Sequence, residues 1–184
     1  MRIVVSGTHA TGKSTLVADL GAALPGHDVL PDPWELVDED LLPASAESFV
    51  EQLHVAADRL LALGPGERVV AERGPLDLLA YLEALDALGR PGVTAGSARA
   101  LRSLTARAHA HVDLLVVLPL AGTIGVSVPD EEDAALREAA DTALLDLLDD
   151  DELLPASTTV LEVGGDRSRR VGTVLDVLAR RVSR

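Results

Sequence analysis

The sequence predicts an α/β domain built on a five-stranded parallel sheet with helices on both faces. Two observations carry this expectation. Short apolar runs alternate with helical patterns of about ten or more residues, and a glycine-rich segment joins the first run directly to the first helical pattern. At 184 residues the chain fits a single domain spanning 1–184, large enough to bury a core without staples.

The elements follow in order. Ile3 to Ser6 reads as a buried strand, and Lys13 to Leu24 as a helix with Leu16, Val17, Leu20 and Leu24 at helical spacing. His27 to Leu30 is a second strand, ended by the turn formers Pro31-Asp32-Pro33. Ala46 to Leu63 forms an amphipathic helix stopped by Gly64-Pro65-Gly66. Arg68 to Ala71 is a third strand, and Glu72-Arg73-Gly74-Pro75 leads into a helix over Leu76 to Leu88. A helix over Ala98 to His111 precedes a fully apolar strand at Leu114 to Leu118. Pro119 to Asp130 is rich in Gly, Ser, Thr and Pro, and with the start of the helix from Glu131 to Leu148 it predicts a lid over residues 119–137. A strand at Thr158 to Val163 and a helix at Arg167 to Val182 close the chain.

Composition narrows the possible partners. The formal net charge of −14 repels a phosphate backbone and supplies no basic stripe, so nucleic acid is not an expected partner. No apolar run approaches the roughly 20 residues that span a bilayer, and without cysteine there is neither a disulfide framework nor a thiolate metal site. The expectation is a cytoplasmic protein that does not engage a membrane. Fifteen arginines accompany one lysine, Lys13. A strong bias toward arginine has spared the position where a compact ammonium, rather than a broad planar fork, fits against bound phosphate.

That lysine belongs to Gly7-Thr8-His9-Ala10-Thr11-Gly12-Lys13-Ser14, which satisfies G-x-x-x-x-G-K-[ST] between a strand and a helix. In this arrangement successive backbone N–H groups converge on a β-phosphate, and the helix adds the positive end of its dipole. Lys13 reaches the β/γ oxygens and the Ser14 hydroxyl binds Mg²⁺, while Thr15 packs or caps the first turn. His9, in the variable part of the loop, is expected to contribute backbone rather than acid–base chemistry. Residues Gly7 to Thr15 therefore bind a nucleoside triphosphate, read as ATP with magnesium, and imply a P-loop NTPase fold.

Ligands of an open parallel sheet gather at the carboxyl ends of its strands. This rule admits Glu72 and Asp32, which follow the third and second strands, and places Asp113 at the opposite edge. Glu72 becomes the second magnesium residue, with Arg73 facing substrate or transferred phosphate. Asp32 is expected to face the acceptor, where a general base is needed, with Pro31 and Pro33 stiffening its turn.

These residues together resemble the small P-loop kinases of nucleosides, nucleotides and related metabolites, including the deoxynucleoside kinases and AAA-like ATP-binding proteins related to nicotinamide riboside kinase domains. The resemblance spans nearly the whole chain. GTHATGKSTL is similar to their opening loop, and Glu72-Arg73-Gly74 to the acid–Arg pair after their third strand. Pro31 to Trp34 resembles the acid–Pro turn that carries the base for the substrate hydroxyl, and Leu161 to Val171 the late strand and turn flanking the adenine. The resemblance implies transfer of the γ-phosphate of ATP to a small-molecule acceptor, a nucleoside, nucleotide or related metabolite. Arg73 and Arg137 would neutralise the developing charge.

A second reading stays open, an ATPase or nucleotide-gated regulatory module without a small acceptor. It is favoured by the complete lack of Arg or Lys between Arg107 and Arg137. A Ras-type GTPase is excluded, because its guanine-reading Asn-Lys-x-Asp element needs an asparagine and the chain contains none.

Overall fold

A computed structural model describes residues 1–38, 40–42, 44–122 and 133–182. Five parallel strands, β1 (Arg2–Ser6), β2 (Asp28–Leu30), β3 (Val69–Glu72), β4 (Leu114–Val117) and β5 (Thr159–Glu162), form one sheet in the order β2-β3-β1-β4-β5. The helices are α1 (Lys13–Ala23), α2 (Ala46–Leu61), α3 (Pro75–Ala87), α4 (Ala95–His109), α5 (Ala134–Leu147) and α6 (Arg167–Val182). The expected parallel sheet with helices on both faces is the observed one.

Strand alternation divides the core into two layers. Val4, Ala71, Leu115 and Val117 point toward α2, α3, α4 and α5, whose buried residues include Leu53, Leu76, Leu79, Leu104 and Leu144. Ile3, Val5, Val70, Leu114 and Val116 point the other way, against Leu16, Val17 and Leu20 of α1 and Val174 and Leu178 of α6. Each fully buried leucine contributes on the order of 2–3 kcal/mol by removal from water. Because side chains alternate with period two, a one-residue slip of β1 would exchange these layers, so the register is strongly specified.

That register fixes the functional edge. Val5 pairs with Glu72 and Ser6 with Val117, so the end of β1 lies between the ends of β3 and β4. Asp113 donates and accepts with Arg2 at the opposite edge, as expected of a residue preceding its strand.

Several boundaries differ from the sequence expectation for local physical reasons. Glu72 is the last residue of β3 rather than the first after it. Pro75 opens α3, since a first-turn residue needs no amide donor there. α4 begins at Ala95 under a Thr94 side-chain cap. α5 begins at Ala134, where Asp133 accepts from the amide of Leu136. Of the expected lid, residues 123–132 lie outside the described residues. Its described flanks are a short 3-10 turn at Leu120–Gly122 and the start of α5.

One buried group makes stability depend on pH. His109, on α4, is fully buried, and burial pushes its pKa down to about 4 from an ordinary 6.5. A base depressed in the folded state binds more protons when unfolded, so stability is lost as pH falls from about 6.5 toward 4. The loss expected from this group by pH 5 is about 2 kcal/mol. Urea denaturation of wild type and His109→Leu between pH 7 and 5 should show a shallower acid decline in the variant; parallel curves would remove His109 as the cause.

Candidate functional site

The site is a glycine-turned loop whose carbonyls are held by side chains from several elements. Gly7 and Gly12 have φ of 145° and 89°, and a Cβ on Gly7 would meet the Leu118 carbonyl at 2.7 Å, so only glycine fits there. Ala10 is also left-handed, with φ 52°. No side chain caps α1, and its first-turn N–H groups are left to face the loop. On the outer side, Arg170 donates to the carbonyls of Thr11 at 2.6 Å and Gly165 at 2.8 Å. Arg137 donates to the carbonyls of His9 at 2.9 Å and Ala10 at 3.3 Å. Thr8 and Thr11 are buried, and Thr11 donates back to the Thr8 carbonyl. His9 and Thr15 are exposed, and the His9 amide donates to the Tyr81 hydroxyl at 2.9 Å.

Lys13 is buried beneath this loop and donates to the Thr8 carbonyl at 2.7 Å. Burial, and then the neighbouring Arg73 cation, pull its pKa down to about 7, against the opposing charges of Asp77, Asp32 and Glu72. An anion seated in the loop at the start of α1 would add to these opposing charges and hold Lys13 protonated.

The two expected magnesium residues meet directly. The Ser14 hydroxyl donates to Glu72 Oε1 at 2.6 Å, joining the first turn of α1 to the end of β3. Burial raises the pKa of Glu72, and the charge of Asp32 adds to this, while Ser14, Lys13 and Arg73 pull it back. A hydroxyl and a carboxylate destabilised as an anion form a hard oxygen donor set that fits Mg²⁺. This ion takes few protein ligands and completes its shell with water and phosphate.

Next to them, Arg73 adopts φ 60°, a left-handed conformation costing a non-glycine residue about 1–2 kcal/mol. Its Nε donates to Asp32 Oδ2 at 2.9 Å, and its guanidinium lies 5.6 Å from the centre of the Tyr81 ring, which stacks on Phe49. Asp32 accepts a second bond from the Trp34 amide, so its carboxylate is both turn former and ion-pair partner.

The residue that sequence reasoning missed is Asp77. Buried in the first turn of α3, it accepts from the Ser6 hydroxyl at 2.7 Å, the Gly7 amide at 2.8 Å and the Gly74 amide at 2.9 Å. One carboxylate thus ties the entry of the phosphate loop to the turn that holds Arg73. Within PLDLLAYLEAL it is one of two acids, with Glu83, and no local feature singles it out. Arg170 was likewise unmarked, because its contact with Thr11 closes a separation of 159 residues.

The sequence family described as an AAA domain matches residues 2–170. The chain belongs to this AAA domain family. No curated protein matches it. Among solved structures, this AAA domain resembles deoxyadenosine kinase from M. mycoides with bound dATP, at 13% identity and TM-score 0.66, covering 97% of this chain and 100% of that one. The same kinase with bound dCTP gives 15% identity and TM-score 0.69, over 98% and 100% of the two chains. Thymidylate kinase from Candida albicans gives 15% identity and TM-score 0.67, over 97% and 91%. At such identities the likeness establishes the fold, that of the P-loop nucleoside and nucleotide kinases.

Two outcomes check this geometry. Glu72→Gln should keep ATP affinity in EDTA and lose most of the gain that Mg²⁺ confers, because charge is removed while shape is kept; an unchanged magnesium titration would return Glu72 to a structural acid. Asp77→Asn cannot accept from both the Gly7 and Gly74 amides, and leaving one unpaired should cost about 2 kcal/mol or more. Denaturant unfolding would measure that cost and calorimetry the accompanying loss of ATP affinity; wild-type values in both would dismiss the tether.

Proposed function

We propose that this AAA domain is a magnesium-dependent kinase that transfers the γ-phosphate of ATP to a hydroxyl of a small metabolite such as a nucleoside or nucleotide. The observation that supports this most is the convergence, at one edge of the sheet, of a buried Lys13 bonded to the loop with the Ser14–Glu72 and Asp32–Arg73 pairs. A bare hydrolase has less need of a second acid on the acceptor side.

In this reading Gly7 to Thr15 bind the triphosphate, with loop amides and Lys13 on the β- and γ-phosphates. Ser14 and Glu72 would hold Mg²⁺, which would supply positive charge against the phosphates. Asp32 orients the acceptor hydroxyl and takes its proton as the oxygen–phosphorus bond forms. The bond from the γ-phosphorus to the bridging oxygen breaks, and ADP leaves. Arg73, fixed by Asp32 and Tyr81, faces the charge that develops on the phosphoryl oxygens. Arg137 supports the same charge indirectly by holding the loop carbonyls. An ordinary carboxylate suffices as base, because in a loose transition state the hydroxyl loses its proton late and orientation matters most.

The reading of an ATPase or nucleotide-gated module draws on one feature, the cation-free stretch between Arg107 and Arg137. ADP release measured alone and then with nucleosides, nucleotides and sugars separates the two. Stimulation by an acceptor supports the kinase, and steady basal turnover that no compound raises supports the ATPase. In the stimulated reaction Asp32→Asn should lower kcat by roughly 10² or more, the effect of losing a positioned base, with ATP binding nearly intact. Wild-type turnover in the variant would reduce Asp32 to a turn former.

A further inference from the structure

A cavity of about 380 Å³ lies at the end of β5, lined by Ala121 of the turn after β4 and by Glu162, Gly165, Arg169 and Thr173. In the strand order β2-β3-β1-β4-β5 it falls on the opposite side of the phosphate loop from Asp32. Its size is within the range of small-molecule sites, about 300–1,000 Å³.

Two connections tie the lining of this cavity to the loop. One is Arg170, which donates to the carbonyls of both Thr11 and Gly165. The other runs along α5. Arg137 donates to the carbonyls of His9 and Ala10, and one turn further on Asp141 accepts from the amide of Leu120 at 3.0 Å, the residue before Ala121. Four residues apart, the two side chains share a face of the helix, and the charge of Arg137 acts on Asp141. The Leu120 amide opens a 3-10 turn, and the Val117 carbonyl three residues behind it is engaged by the Val163 amide at 2.8 Å. The carboxylate therefore supplies an acceptor that the turn lacks. Burial raises the pKa of Asp141, while the Leu120 amide and Arg137 lower it, so its charge is kept in a half-buried place by those two contacts.

We propose that Asp141 is a positioning residue for the nucleoside part of a bound triphosphate: by holding the Leu120 amide it fixes the Ala121 wall of the cavity relative to the loop that Arg137 braces. This rests on Gly7 to Thr15 binding a nucleoside triphosphate, and it holds whether the phosphate passes to a metabolite or to water. A triphosphate seated in the loop carries its nucleoside out of the loop, and both connections lead from there to the cavity. One ligand is thus received by two surfaces whose spacing is set by Asp141 on one side and Arg170 on the other. Phosphates alone do not sense that spacing.

Calorimetry of ATP and of inorganic tripolyphosphate, each with Mg²⁺, separates the two surfaces. Asp141→Ala should weaken ATP about tenfold, the size expected for loss of a hydrogen bond to a charged group, and change tripolyphosphate by less than about twofold. Asp141→Asn keeps an oxygen for the Leu120 amide and should restore most of the ATP affinity. Equal losses for the two ligands, or ATP affinity unchanged in Asp141→Ala, would overturn the inference and leave the triphosphate reading in place. Hydrogen exchange without ligand needs no phosphate probe: Asp141→Ala should speed exchange at Leu120 and Ala121 and leave Gly7 to Thr15 as protected as in wild type. A loop that loosens together with the turn would mark Asp141 as a general structural residue and overturn its positioning role. Wild-type protein that binds neither ATP nor tripolyphosphate would remove the triphosphate reading, and the inference with it.

Discussion

The carboxylate of Asp77 is the constraint on which the rest of the site depends. It accepts from Ser6 and Gly7, where β1 becomes the phosphate loop, and from Gly74, where β3 becomes α3. A buried carboxylate costs several kcal/mol to desolvate unless its lone pairs are filled, so a side chain with three donors in place resists any rearrangement that removes one. The left-handed turn at Arg73 is held in part by that resistance. Backbone strain persists only where neighbours over-determine it, and here the Arg73 amide is also fixed to the Val5 carbonyl at 3.0 Å.

From that tether the two halves of the site inherit their spacing. The pairing of Val5 with Glu72 brings a carboxylate to the helix that carries Ser14. The pairing of Leu30 with Ala71 carries Asp32 past the end of the sheet and onto Arg73. Two arginines on the outside of the loop, Arg137 and Arg170, fix its peptide planes by their carbonyls. The orientation of those planes sets where the loop's amides point, so under the proposed function these distant residues would act on a bound phosphate without touching it.

The sequence made the sheet, its direction and the loop legible because each rests on local signals: periodicity, glycine placement and capping chemistry. A rule about strand ends places Glu72 and Asp32 at the same edge, and their contacts with Ser14 and Arg73 follow from register. Asp77, Tyr81 and Arg170 were not found, since each acts across 70 or more residues of chain and nothing local distinguishes them. Asp77 reads as an ordinary first-turn acid that favours a helix N-terminus. The start of α4 was hidden because Ala95-Gly96-Ser97 contains weak helix formers, and the Thr94 cap supplies what propensity does not.

The burial of Lys13 has a further chemical consequence. It is the one side-chain amine in the sequence, and it lies beneath the loop rather than on the surface. Elsewhere positive charge is carried by guanidinium groups, which acylating and reductive-alkylating reagents leave alone. Apart from the chain's own amino terminus, every reaction directed at primary amines therefore has a single destination, the floor of the glycine loop. Its rate becomes a direct reading of whether that floor is covered, in a molecule whose outer surface is silent to the same chemistry.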